Sequence, residues 1–176
     1  QKCLCPHPLI GNGKLGCVAE DVGAIFVQAD PHLKNLYDEF LPIETPCRHR
    51  ILQYTTPSSD RVEVYADNAL YKGGKYYINR AEVRFFGTGF RLRKLYILIE
   101  AYAQGGVYKF KEWRRTETDV VWQKPTSEIA VLGEYQFNVT YNKVDNFAEV
   151  NAVDGFGFSM RFRPAEKMTE FQSQIP

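Results

Sequence analysis

Cysteine is the residue type in this chain whose number and spacing most invite chemistry. Cys3, Cys5, Cys17 and Cys47 are its only thiols, and all four lie in the first third of 176 residues. An even, clustered set in an otherwise cysteine-free chain points to disulfides that pin the leading segment onto the body behind it. A single residue separates Cys3 from Cys5, too little chain for the geometry a bridge between them needs. Two pairings remain: Cys3–Cys17 with Cys5–Cys47, or Cys3–Cys47 with Cys5–Cys17. The competing chemistry is metal ligation by Cys3, Cys5, His7 and Cys17. Structural zinc sites place longer gaps between paired cysteines and add a second knuckle, which this sequence lacks. No metal and no cofactor are therefore expected.

Nucleophilic chemistry finds less support. Cys47 is followed by Arg48 and His49, and nearby positive charge activates a thiol. With three other cysteines present, a structural disulfide is the simpler account. His7, His32 and His49 fall in no metal or protease motif, and HExxH, GxSxG and Walker patterns are absent. Gly11-Asn12-Gly13-Lys14 lacks the spacing and the following Ser or Thr of a phosphate loop, and reads as a glycine turn. No catalytic residue is nominated, and a non-enzymatic role is expected.

Charge and aromatic residues offer binding chemistry instead. Arg84, Arg91, Arg93, Lys94, Lys109, Lys111, Arg114 and Arg115 crowd one stretch, opposed there only by Glu100 and Glu112, while residues 116–163 lean acidic. A basic face of this kind suits a sulfated polysaccharide or an acidic protein surface. Strand alternation works against it, because successive side chains project to opposite faces. Tyr76, Tyr77, Phe85, Phe86, Tyr96, Tyr102, Tyr108, Phe110, Trp113 and Trp122 are mostly expected in the core, with any exposed subset marking a binding surface.

The formal net charge of +1 gives no reason to expect a nucleic-acid partner. No run of eighteen apolar residues is present, so no membrane span is expected. A start at Gln1 without an initiator Met looks like the product of signal cleavage. Asn138-Val139-Thr140 is a glycosylation sequon, usable only on a secretory route. With the cysteines, these features favour a secreted, extracellular protein.

The elements that must position these groups are nearly all strands. Val22–Ala29 reads as a strand. Asp30-Pro31 then resembles an N-cap with proline at the first helical position, and Leu33, Leu36, Tyr37 and Phe40 follow at helical spacing until Pro42. From Arg50 onward short β-branched and aromatic runs recur: Ile51–Thr55, Arg61–Ala66, Tyr76–Asn79, Ala81–Phe86, Leu92–Tyr102, Val107–Trp113, Asp119–Gln123, Glu128–Leu132, Glu134–Tyr141, Asn146–Asn151 and Phe156–Phe162. Gln104-Gly105-Gly106 marks a hairpin. The expected organisation is a single β domain over 1–164, with a disulfide-anchored leading segment, and a polar tail over 165–176.

Cys3, Cys5, His7-Pro8 and Cys17, then the strand Val22–Val27, resemble the opening of the netrin-like module found at the N-terminus of tissue inhibitors of metalloproteinases. Val62-Glu63-Val64 with Leu70-Tyr71-Lys72-Gly73, then Ala81–Phe86, Tyr96-Ile97-Leu98-Ile99, Gly105-Gly106 and Val107–Phe110, follow in that family's order. The resemblance implies a five-stranded Greek-key barrel of the OB type. It also implies inhibition, in which the first cysteine's amine and carbonyl chelate a protease zinc. Here Cys3 would be that residue, with Leu4 and Cys5 in the cleft. The chain departs from the pattern in two places: Gln1-Lys2 precede Cys3, and only Cys47 lies downstream as a pairing partner. Other netrin-like modules bind proteins or heparin-like chains, which suits the basic stretch.

Trp113-Arg114-Arg115, Gly133-Glu134-Tyr135-Gln136-Phe137-Asn138-Val139 and Phe147-Ala148-Glu149-Val150-Asn151 also resemble the later strands of galectin-type sandwiches, without that family's histidine-asparagine-arginine sugar motif. The expectation is thus an all-β antiparallel barrel of OB/netrin-like type with one short helix, or alternatively a jelly-roll β-sandwich. It would bind or inhibit an extracellular protein, a metalloprotease among the candidates. Cys3, Leu4, Cys5, Arg91, Arg93, Lys94, Arg114 and Arg115 are the candidate contact residues. Carbohydrate binding is the second reading, and a structural matrix or assembly subunit the third.

Overall fold

Val62, Val64 and Ala66 alternate with Glu63, Tyr65 and Asp67, the pattern of a strand with one face turned inward. The computed structural model contains that strand and shows what its inner face meets. The structure describes side chains for residues 46–164, apart from 57, 71–73, 75, 89–92, 106, 134 and 153–155. It describes backbone alone for 9–12, 16–19, 23–29, 32–34, 40–42 and 169–175.

One sheet comprises β6 (Arg48–Thr55), β7 (Arg61–Leu70), β8 (Tyr76–Gly87), β9 (Arg93–Gln104) and β10 (Val107–Thr116), in the order β10-β9-β8-β7-β6. The other comprises β11 (Ile129–Leu132), β12 (Tyr135–Asn142), β13 (Phe147–Ala152), β14 (Phe158–Arg163), β15 (Thr169–Ile175), β3 (Gly23–Ala29), β4 (His32–Lys34) and β5 (Phe40–Pro42), in that order across the sheet. β1 (Leu9–Asn12) and β2 (Gly16–Ala19) form a separate hairpin. Every described pairing is antiparallel, and all but β15 with β3 join strands consecutive in the chain.

Alternation sorts the side chains. Val62, Val64, Val83, Phe85, Ile97 and Ile99 of the first sheet are fully buried, as are Phe137, Ala148, Val150, Phe158 and Phe162 of the second. Phe85 on β8 meets Phe137 at 4.5 Å between ring centres, Phe156 at 5.3 Å and Phe158 at 5.7 Å. Phe110 on β10 reaches Phe162 at 6.2 Å. Tyr54 on β6 donates its hydroxyl hydrogen bond to the Phe156 carbonyl, and burial pushes the phenol's pKa upward. The two sheets therefore face one another across one aromatic core. A register shift between Arg50 and Leu52 lets both Ile51 and Leu52 be buried at the edge of that core.

A second tie joins the sheets at the β6–β7 turn. Ser59 adopts φ 68°, and the turn closes with Thr56 N–H donating to the Asp60 carbonyl at 2.7 Å. The buried Asp60 carboxylate accepts from Thr88 N–H at 2.7 Å, Thr88 Oγ1 at 2.9 Å, Ser58 Oγ at 3.0 Å and, from β12, Tyr135 OH at 3.1 Å. Burial alone would raise its pKa. The donors outweigh burial and hold it below the ordinary carboxylate value.

The all-β antiparallel class is the one the sequence indicates. The architecture differs in detail. The strands form two open sheets, neither closed into a barrel, where the resemblance implied one five-stranded Greek-key barrel. Consecutive pairing makes the first sheet a meander, while in the second the β15–β3 pair joins two consecutive runs, β11 to β15 and β3 to β5. The helix expected from Leu33, Leu36, Tyr37 and Phe40 gives way to strands β4 and β5 at 32–34 and 40–42, while 35–39 lie outside the described residues. One or two turns of helix are marginal alone, whereas the observed register completes a cross-strand row Ala148–Phe162–Phe171–Val27–Leu33–Leu41 of apolar residue types. The same row corrects the polar tail: 165–176 contains β15, which pairs with β14 on one side and β3 on the other. Asp119–Gln123 is not a strand; it contributes a single bridge from Gln123 to Arg114. The β9–β10 hairpin is present, with Gly105 in the left-handed region at φ 59°.

Among the described residues, no helix is long and apolar enough to cross a membrane. Cys47 is exposed immediately ahead of β6 and forms no bridge among the described residues. Cys17 lies on β2 opposite Gly11. Cys3, Cys5 and His7 lie outside the described residues. Peptide mapping without reductant is expected to find bridged peptides containing Cys3 and Cys5; full alkylation of all four thiols in native protein would reject the disulfide framework.

Candidate functional site

The basic stretch is divided between the two faces of the first sheet. On the outer face, cross-strand neighbours interleave cations with rings. Arg84 lies over Tyr65 at 4.2 Å and over Tyr96 at 5.6 Å; Arg115 lies over Tyr96 at 4.4 Å and over Trp122 at 4.8 Å. The result is a continuous row, Tyr65–Arg84–Tyr96–Arg115–Trp122, across four strands and onto the segment beyond β10. Carboxylates neutralise the adjacent rows. Buried Glu82 accepts from Arg48 and from Arg84, each at 2.6 Å, and Asp67 takes a forked pair from Arg48 at 2.7 and 2.8 Å. That fork and Glu82 hold the Arg48 guanidinium protonated against the cost of its burial. Glu100 accepts from Arg80 at 2.8 Å and from Trp113 Nε1 at 3.0 Å. The Arg48, Arg80 and Arg84 guanidiniums of this face are thus matched by carboxylates within the fold.

Arg114 follows the opposite parity and turns to the inner side of β10. Its Nε donates to Glu112, and its Nη2 donates to the Glu128 carbonyl at 3.0 Å. Glu112 is buried, and its other oxygen accepts from Tyr141 OH on β12 at 2.9 Å. Burial, then the Glu112 charge, push the Tyr141 pKa upward, so its phenol is a donor throughout the physiological range. The Tyr141 ring lies 5.6 Å from that of Phe110.

These groups form the back of a cleft of about 800 Å³ at the seam where the sheets part. β10 gives one wall, with Phe110, Glu112 and Trp113. β12 gives the other, with Val139, Thr140 and Tyr141, and residues 124–128 cross its mouth. Lys111, Lys124 and Lys143 stand around it, and Lys111 Nζ lies 4.8 Å from the centre of the Tyr102 ring. Both Glu112 oxygens are taken by Arg114 and Tyr141, so this carboxylate is neutralised where it sits. Glu128 remains as the acidic member of the rim. The cleft thus combines aromatic walls with excess positive charge, a chemistry for holding an anionic ligand rather than a metal.

The chain's relationships to known proteins do not name that ligand. No family model matches the sequence, and no curated protein matches it either.

The candidate contact residues inferred from the sequence are scattered. Cys3, Leu4, Cys5 and Arg91 lie outside the described residues. Arg93 is exposed at the start of β9, and Lys94 pairs with Glu117 at 3.4 Å. Arg114 and Arg115 project to opposite faces, one beneath the cleft and one onto the outer aromatic row. Of that set, Arg114 alone bears on the cleft. Asn138, the sequon residue, is exposed in mid-strand on β12, two residues from Thr140 at the cleft. Sequence reasoning missed Glu112, Tyr141, Lys124 and Lys143 as one site. Their local signal is weak, because Glu112 and Tyr141 are brought together only by the packing of one sheet on the other.

Proposed function

We propose that this protein is a secreted, non-enzymatic binding module that engages an extracellular protein partner through the cleft between β10 and β12. The observation that carries the reading is the cleft itself: an open concavity with Trp113, Tyr102 and Tyr141 for contact area and three lysines for steering. The order of Cys3, Cys5, His7-Pro8 and Cys17 supports kinship with netrin-like modules, whose members act by binding. It keeps a metalloprotease among the candidate partners and an OB-type barrel ancestry among the candidate origins.

Carbohydrate binding is the second reading, favoured by the two-sheet architecture and by tryptophan and tyrosine at the cleft wall, where sugars stack. A sulfated glycan would additionally use Lys111, Lys124 and Lys143.

Titrating the intrinsic fluorescence of the protein with metalloprotease catalytic domains and with sulfated and galactose-type oligosaccharides tests both readings. The expected result is saturable binding to one class that weakens at least about tenfold in Trp113→Ala, the size of a central aromatic contact. Binding left unchanged by both Trp113→Ala and Lys143→Glu would place recognition elsewhere on the molecule and end this reading.

A further inference from the structure

We infer that the cleft takes an extended acidic peptide segment of a partner protein, which adds to the first sheet as a further strand against β10; this rests on the cleft's being the recognition site. β10 is the edge of its sheet. Arg114 N–H donates to the Gln123 carbonyl at 2.7 Å, and Gln123 N–H donates back to the Arg114 carbonyl at 2.9 Å. Arg114 therefore turns its backbone groups outward, away from β9. In an antiparallel ladder that orientation recurs at every second residue, so Glu112 and Phe110 also direct N–H and C=O outward, toward the cleft. Among the described residues no strand or bridge takes up those groups: outside its own sheet β10 exchanges backbone hydrogen bonds with Gln123 alone, and the chain then crosses to β11 in the other sheet. Opposite, β11 begins at Ile129 against Asn138, so Val139–Tyr141 of β12 run past its end. The sandwich is open at this seam, with a cavity beside a strand edge ready to exchange hydrogen bonds.

Charge selects the occupant. Lysines on an edge strand commonly serve to keep sheets apart, and here they would repel a second copy. Pairing β10 with β10 about Phe110 sets Lys109 opposite Lys111, like charge against like. The same two residues, exposed on the outer face of β10, match a strand carrying carboxylates at alternate positions, and Lys124 and Lys143 add positive charge from the far wall. Between those carboxylates the incoming residue opposes Phe110, beside Tyr141, and is apolar. The residue opposing Glu112 is uncharged, since Glu112 is already neutralised by Arg114 and Tyr141. The recognised pattern is therefore acidic–apolar–acidic in extended conformation. A sulfated glycan would meet the lysines but has no amide ladder to offer the edge.

The test uses a short peptide in which glutamate alternates with valine, the same peptide N-methylated at alternate amides, its lysine counterpart, and a sulfated oligosaccharide. The expected result is saturable binding of the acidic peptide, slowed hydrogen exchange at the Phe110 and Glu112 amides, and affinity weakened about tenfold or more by N-methylation. The double variant Lys111→Glu/Lys143→Glu, altered only at surface positions, is expected to lose a similar factor, with the loss shrinking as salt is raised. Equal binding of the N-methylated peptide, or preference for the lysine peptide, overturns strand addition. Binding of the sulfated oligosaccharide alone, with Phe110 and Glu112 exchange unchanged, overturns the peptide proposal while leaving the cleft as the binding site. Failure of every probe, together with partner binding unaffected by Trp113→Ala, overturns both.

Discussion

Replacing Phe85 with alanine is expected to lower the unfolding free energy by about 3–5 kcal/mol, the range for deleting a fully buried aromatic ring from a packed core. Phe85 is the ring through which the first sheet meets Phe137 and Phe158 of the second, and Phe156 just before β14. Strands on both sides limit collapse into the void. Its neighbour supplies the control. Phe86 points to the outer face, under the Arg61 guanidinium at 4.1 Å and edge-on to Tyr96 at 6.2 Å, and Phe86→Ala is expected to cost only about 1–2 kcal/mol, since truncating a partly exposed ring opens no cavity in the core. Urea unfolding with an unchanged slope reads both differences as shifts in midpoint. Comparable losses in the two variants would contradict the facing of the sheets described above.

The second large effect belongs to Asp60. Asp60→Ala is expected to cost about 3 kcal/mol at neutral pH, because it strands the Thr88 amide and leaves the Ser58, Thr88 and Tyr135 hydroxyls without their shared acceptor. Tyr135 belongs to the opposite sheet, so the loss is also a loss of inter-sheet connection. The folded carboxyl titrates below its unfolded value. Its contribution is therefore fully present above the unfolded pKa of about 4 and is lost as pH falls through the lower, folded value. Asp60→Asn keeps the shape and removes the titration. The prediction is that the gap in stability between wild type and Asp60→Asn, measured by urea unfolding, is widest near neutrality and narrows in acid. A gap independent of pH would show that the carboxylate charge is not what Thr88 and Tyr135 recognise.

Strands were legible where burial is one-sided. Arg61–Ala66, Ala81–Phe86 and Glu134–Tyr141 alternate apolar and polar residues, and β7, β8 and β12 run through all three segments. The segment around Leu33–Phe40 misled because three- and four-residue spacing is a local property, while its pairing with β3 is not. Residues 169–175 misled for the same reason. Their polarity describes the chain in isolation, but a strand between β14 and β3 has its backbone satisfied on both sides whatever its side chains. The basic stretch was legible as composition only. Parity sends Arg114 beneath the cleft and Arg115 onto Tyr96 and Trp122, so a cluster in sequence becomes two unrelated environments.

By itself the sequence determined that this chain folds into antiparallel strands, and which side of many of them is apolar. Covalent geometry projects alternate side chains to opposite faces, and that information is carried within a few residues. The tertiary structure alone decided which strand edges remain open, and so where the cleft lies. An edge is defined by the partner it lacks, and partnership between distant segments leaves no local trace in a period-two pattern.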